Sequence, residues 1–395
     1  MKSNYKKKTK IQAFIAAILI FLFLDPYFMW NLHNHTPLYA ILGIPILLLF
    51  YSNSDIRSKG RQGIFVLFSI VLIFSALNND LNVLGFIALL CVLFVPFARE
   101  DFARVSFDYF ITIYAIVIGV SSVVWILSFL DVIGPSGIIS PLNELKDHKY
   151  YVYPLVVRPD MIVPIERFCG PFDEPGVSGT ISAIILIIGK FKLKDLRLLV
   201  IFLAGILTLS LFYVVICSVY YFIYTFAVSK NKVAGVMLLL LLAIVVITTL
   251  SNELLYDRLW SRFLWDADSG SFAGDNRYTE GAKILMNKYM GTLGFLFGIG
   301  KTDELLRASE GEFSLLFTIL QYGLLFVLAY ILVFALYGWK YRNNMIAYLL
   351  FLLVFMGSIY QRPDLFQPEY LFLYSMMAMS CGDLNEKKYI KIETK

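Results

Sequence analysis

Apolar residues in this chain come in long blocks, without the polar positions that a half-buried helix or strand keeps for water. Blocks bounded by turn residues or charge fall at roughly 11–30, 37–51, 62–77, 83–98, 107–130, 175–189, 198–210, 212–228, 233–250, 314–338, 345–360 and 369–382. A segment of about 20 apolar residues spans a bilayer, although several of these blocks are shorter. In lipid, a spanning segment satisfies its own backbone, and the helix is the usual solution. The pattern predicts an all-α fold: a polytopic membrane protein of roughly twelve transmembrane helices, with 1–395 as one integral membrane domain. The stretch 198–228 is long for one span and tight for two. Lys190, Lys192, Lys194 and Arg197 precede it, and Lys230 and Lys232 follow it. If both basic clusters lie on one side, the chain crosses twice there, breaking near Leu209-Ser210-Leu211.

Composition strengthens this reading. The chain is 59% apolar and 16% charged, whereas a soluble domain is about half apolar and about a quarter charged. One water-soluble core does not hide that much apolar surface. The start, MKSNYKKKTK followed by IQAFIAAILIFLFL, has the shape of a signal peptide without a small-x-small cleavage site, so it reads as a retained first helix. With both termini cytoplasmic, the Lys-rich clusters all face inward, as the positive-inside rule asks. Cys91 and Cys217 fall in apolar blocks and only Cys169 in an outer loop, so no disulfide is expected.

Two long loops, 131–172 and 251–313, then face outward. The basic residues on that side are mostly arginines: Arg158, Arg167, Arg258, Arg262, Arg277, Arg307 and Arg362. Lysine serves as a topology anchor, whereas the arginine fork suits phosphate and carboxylate. Within the second loop, Asn252–Trp265 reads as an amphipathic helix, with Leu255, Leu259 and Phe263 spaced by four and Arg258 and Arg262 on another face. It is suited to lie on the outer leaflet. Asp275 is placed to cap a second helix over about 277–289, and Gly291, Gly294, Gly298 and Gly300 form a flexible link. The apolar blocks hold almost no ionisable residues. Asp25, near an outer end before Pro26, is the main exception. Ion-coupled transporters carry such groups at mid-membrane depth, so the pattern argues against one.

Several motifs carry little. Gly300-Lys301-Thr302 lacks the earlier glycine of a phosphate loop, because Phe295 stands there. Asp266-Ala-Asp268 resembles the metal pair of nucleotide-sugar transferases but is predicted outside, away from nucleotide sugars. His33, His35 and His148 form no metal-site spacing, so no metal and no cofactor are expected. Two segments carry more. Arg167-Phe-Cys-Gly170-Pro-Phe-Asp173-Glu174-Pro175-Gly176 opens a span with charge, proline and glycine, which lipid tolerates only beside protein or water. Glu310-Gly311-Glu312-Phe313 leads into a span running through Tyr322-Gly323 and places a carboxylate at its outer mouth. Both also fit ordinary helix starts with acidic first turns.

These segments resemble the superfamily of O-antigen polymerases and O-antigen ligases, bacterial enzymes that act on undecaprenyl-diphosphate-linked glycans. The matching features are Arg167, Gly170 and Glu174-Pro175, Asn276-Arg277, the Gly298-Ile-Gly300 turn, and Glu312 through Gly323, together with the number of spans and the two outer loops. Ligases begin the last motif with a histidine eleven positions before the glycine. Here that position is Glu312, followed by Phe313, and Phe326 stands where ligases favour Gly, Thr or Tyr. These departures favour polymerase.

The resemblance implies a GT-C-like helical fold and a metal-independent, inverting glycosyl transfer at the outer face of the bacterial inner membrane. The substrate would be an undecaprenyl-diphosphate-linked oligosaccharide, polymerised into O-antigen or capsule. Glu312 would be the general base. Arg167 and Arg277 would stabilise the leaving diphosphate, with Arg158, Arg258, Arg262, Arg362 and Glu174 as further donor or glycan contacts. Membrane lipid and a chain-length regulator protein are the other candidate partners, and nucleic acid is not one. The alternatives are an O-antigen ligase using lipid A core as acceptor and a lipid-linked oligosaccharide flippase. A flippase has less use for two Arg-rich outer loops.

Overall fold

A computed structural model describes residues 2–30, 36–58, 60–77, 93–140, 149–160, 166–227, 280–309, 314–363 and 365–381, with short pieces including 250–253, 264–266 and 271–272. The chain is mostly helical. α1 (Lys2–Phe23), α2 (Thr36–Ser52), α3 (Arg61–Leu77) and α4 (Glu100–Phe129) are followed by an antiparallel sheet of β1 (Gly137–Ile139), β2 (Tyr150–Tyr153) and β3 (Val156–Pro159), in that spatial order. Then come α5 (Pro175–Ile188), α6 (Leu196–Leu207) and α7 (Leu211–Ala227). A two-residue ladder joins β4 (Trp265–Asp266) to β5 (Ser271–Phe272). The short helices α8 (Glu280–Tyr289), α9 (Leu293–Phe297), α10 (Asp303–Ser309) and α11 (Leu315–Tyr322) lead into α12 (Leu324–Tyr341), α13 (Met345–Gln361) and α14 (Pro368–Ser380).

Among the described residues, α4 and α12 are long and apolar enough to cross a membrane, while segments such as Pro175–Ile188, Leu196–Leu207 and Met345–Gln361 are apolar but shorter. The blocks at 83–98 and 233–250 lie largely outside the described residues, and Val95–Phe97 is a single 3-10 turn. α5 is buried from Ser178 to Ile188 and α14 from Pro368 to Met379. A helix apolar on every side belongs at the centre of a bundle, and these two touch each other there. Each opens on a proline, whose missing N–H costs nothing in a first turn.

The block 198–228 divides into α6 and α7, with Leu209 at φ +46° between them. The three helices α5, α6 and α7 alternate in direction. The α5 end at Gly189 meets Leu198 at the start of α6, and Tyr213 of α7 donates to the carbonyl of Phe202, 2.9 Å away. Asp195 caps α6 by accepting from the Arg197 N–H at 3.0 Å.

Alternating directions sort the chain's charges to two ends. At one end lie Arg61, Arg99 and the Asp195–Arg197–Asp108 network, near the 190–195 turn. At the other lie the C-terminal ends of α1, α4, α6 and α13, the starts of α5 and α14, and the sheet. Contacts knit this second end together: Tyr27 N–H to the Pro171 carbonyl at 2.7 Å, Tyr27 Oη to the Tyr153 carbonyl at 3.2 Å, and Trp30 edge-on to Tyr150.

Three expectations change. The stretch 131–172 is not only loop but carries the three-stranded sheet, a small addition to a mostly helical fold. The apolar block 314–338 is not one helix. It breaks at Gly323, whose φ is +96°. The second helix of the connector is seen over Glu280–Tyr289, and its expected start near 277 lies outside the described residues. Trp265, placed at the end of an amphipathic helix, pairs with Phe272 in a β-ladder. Most of that expected helix, Asn252–Trp265, lies outside the described residues.

Candidate functional site

The charged end is built on the segment 166–174, which the sheet and three helices hold from different sides. Val157 N–H reaches the Gly170 carbonyl at 3.0 Å, and Phe168 N–H reaches the Leu207 carbonyl at 3.2 Å. Gly170 has φ +67°, and a Cβ there would stand 2.8 Å from Ile118 Cδ1. Glycine is the residue that takes that backbone at no steric cost. Ser178 Oγ donates to the Cys169 carbonyl, and Tyr150 Oη donates to the Asp173 carbonyl at 2.6 Å. Burial pushes the Cys169 thiol and the Tyr150 phenol up, so both stay protonated near neutral pH.

Arg158, on β3, grips Glu166 with two nitrogens: Nε to Oε1 at 2.6 Å and Nη2 to Oε2 at 2.5 Å. Its Nη1 donates to the Ser128 carbonyl at 2.9 Å, and Trp125 Nε1 donates to Glu166 Oε1 at 3.3 Å. The hydrogen bonds it donates to Glu166 hold the guanidinium even more firmly in its charged form. The pair ties the sheet and the segment to the end of α4.

Arg167 points toward α6, donating from Nε to the Thr208 carbonyl at 3.1 Å. Glu174, the N-cap position of α5, forms an ion pair with Arg362 across 188 residues of sequence. A Cβ on Gly176 would stand 2.9 Å from Arg362 Nη2, and one on Gly179 would stand 2.5 Å from Ser210 Cβ. Positions three apart share a helix face. One face of α5 therefore seats the Arg362 guanidinium at Gly176 and the Thr208–Ser210 turn that receives Arg167 at Gly179. Beyond Arg362, Phe366 lies against Tyr322, with ring centres 4.9 Å apart, and stacks on Phe326 at 5.3 Å. That places the α11–α12 break next to the charged cluster.

Of the sequence-derived candidates, Arg158, Arg167, Glu174 and Arg362 gather at this end. Glu312, Arg258, Arg262 and Arg277 lie outside the described residues. α11 begins at Leu315, with Ser314 as its N-cap, so Glu312 precedes that helix rather than opening it. Glu166, Trp125 and Ser128 are contributors that the sequence reading missed. Glu166 stands beside Arg167 in the same charged segment, and that adjacency is the signal by which it could have been found.

The chain matches no family model, no curated protein and no solved structure.

Proposed function

We propose that the chain is a multi-pass, GT-C-like inner-membrane glycosyltransferase of about twelve spans, with both termini cytoplasmic. It polymerises undecaprenyl-diphosphate-linked oligosaccharide repeats at the outer face. One observation carries the reading: Arg167 and Glu174 of one segment meet Arg362, far from them in sequence, at one end of a bundle whose opposite end carries the basic turns. Forked guanidinium groups there suit a diphosphate leaving group, whose charge grows as the glycosidic bond breaks. The resemblance of Glu312 through Gly323 to the ligase motif supplies the base. Glu312 takes the proton of the acceptor sugar hydroxyl as that oxygen bonds to the donor's anomeric carbon, and the lipid diphosphate departs with the electrons of the broken C–O bond.

The test uses the purified chain and its native lipid-linked repeat. Glu312→Gln keeps size and loses basicity, so polymer formation should fall about 10²–10⁴-fold while lipid binding persists. Arg167→Lys and Arg362→Lys should also lose polymer, because a point charge replaces a fork. Near-normal turnover in Glu312→Gln would end the base assignment. In cells, deletion of the gene should leave single repeats on the surface. Long lipid-linked polymer that never reaches lipid A would indicate a ligase, and repeats trapped in the cytoplasm would indicate a flippase.

A further inference from the structure

The connector before α11 has its own small core. Leu285, Leu305, Phe317 and Leu320 are buried together, with Met286, Tyr289 and Ile299 packed around them. α8 faces that core with Leu285. At its far end, where the chain turns through Gly291 into α9, the apolar side chains point the other way: Met290 is 57% exposed, Leu293 73% and Phe297 46%. A water-facing turn has no reason to present this tip, and contiguous exposed apolar patches mark contact surfaces.

The neighbour of this tip identifies what covers it. Phe297 precedes Gly298, which lies against Gly323 at the start of α12. The backbones are so close that a Cβ on Gly323 would stand 2.5 Å from the Phe297 carbonyl carbon. Ile299 N–H bonds the Leu320 carbonyl at 2.8 Å, and Gly300 N–H bonds the Gln321 carbonyl at 3.1 Å. α12 is one of the two helices fit to cross a membrane. It exposes Leu325, Leu328 and Leu332 at 46%, 51% and 49%. That spacing is a single helix face, the side a membrane helix turns to lipid. The exposed tip of α8–α9 is therefore fixed at the end of a lipid-facing stripe. Lys283, Lys288 and Lys301 flank it, with Lys288 held to Glu304 at 2.6 Å.

We propose that the α8–α9 elbow is a lipid-docking surface: Met290, Leu293 and Phe297 seat in the headgroup–acyl boundary of the leaflet where α12 begins. The bilayer then holds the connector, and with it the start of α11, at a set height over the charged end. This rests on the membrane reading above and not on glycosyl transfer.

The experiment places a nitroxide at Leu293→Cys in the full chain, reconstituted in vesicles of phosphatidylethanolamine and phosphatidylglycerol. Cys169, Cys217 and Cys381 are buried and stay in place. Cys91 is changed to Ser, and the chain without the added cysteine sets the labelling background. Collision rates with oxygen, which concentrates in lipid, and with a water-soluble nickel chelate are compared at Leu293→Cys, at Leu328→Cys on α12 and at the exposed Lys301→Cys. A lipid-like ratio at Leu293, near that of Leu328 and well above that of Lys301, is expected. A water-like ratio at Leu293 beside a lipid-like Leu328 overturns the elbow and leaves the membrane reading intact. Shielding of Leu293 from both reagents overturns it too, in favour of a protein partner or second copy. A water-like Leu328 overturns both readings. Leu296→Cys serves as a second probe if Leu293→Cys reconstitutes poorly.

Discussion

Gly298, at φ 91° and ψ 152°, and Gly323, at φ 96° and ψ 147°, hold backbone that almost no other residue adopts. Each also faces the other's chain: a Cβ on Gly298 would stand 2.5 Å from the Gln321 carbonyl oxygen. Strain of this kind costs about 1–3 kcal/mol by itself, and the backbone clash adds to it because main chain does not move aside. Gly291 is the natural comparison, since its φ is +81° but nothing lies within 4 Å of a Cβ there. Gly323→Ala should therefore lower the thermal midpoint of the purified chain much more than Gly291→Ala. Equal shifts would mean that the crossing contributes nothing beyond local strain. Arg158 teaches a different lesson at this scale. Its residue type announced carboxylate or phosphate chemistry, and the carboxylate turned out to be Glu166 of its own chain. No spacing rule marks that pairing, because the third participant, Ser128, sits at the end of a helix earlier in sequence.

At the scale of elements, the apolar blocks were legible as helices because a long run apolar on every side needs no partner to be read from sequence. The break between α6 and α7 was legible too, because the basic clusters on either side of 198–228 demanded an even number of crossings. The β-sheet was not. Tyr150 to Val157 is rich in strand formers, but Pro154 interrupts it and charges and prolines flank it, which is the pattern of a loop. The α11–α12 break was invisible because Gly323 is a single glycine in a continuous apolar run. What stops the helix there is the backbone of residues 296–298, a tertiary contact. The α6 start offers a test with a pH sign. Hydrogen bonds from Arg197 hold the Asp195 carboxyl below the usual carboxylate range. A depressed folded value gives stability that is present above about pH 4, the unfolded aspartate range, and is lost as pH falls through the folded value. Asp195→Asn should therefore be less stable than the parent chain at neutral pH and converge with it in acid. A constant gap across that titration would assign the effect to the cap hydrogen bond alone. Asp195 is part-exposed, so solvent screening keeps the effect small.

At the scale of the whole molecule, the two ends differ in chemistry: one carries Arg61, Arg99 and Arg197 near the 190–195 turn, the other the Glu166, Glu174 and arginine cluster. The proposed topology puts the first end in the cytoplasm. A cysteine at Lys192 should resist an impermeant thiol reagent on intact spheroplasts, while one at Asp268 should react. The reverse pattern would invert the orientation. The glycine crossing has a further consequence for the order of assembly. Gly298 and Gly323 are close in sequence, and so are the residues of the small core around Leu285 and Leu320. Contacts between near neighbours close quickly, because little chain entropy is lost in bringing them together. The Arg362–Glu174 pair, by contrast, waits for nearly the entire chain. The elbow and the α11–α12 break can thus form as a finished unit while the ribosome is still making α13 and α14. The late helices would then dock onto a template already set, and the charged end would be completed last.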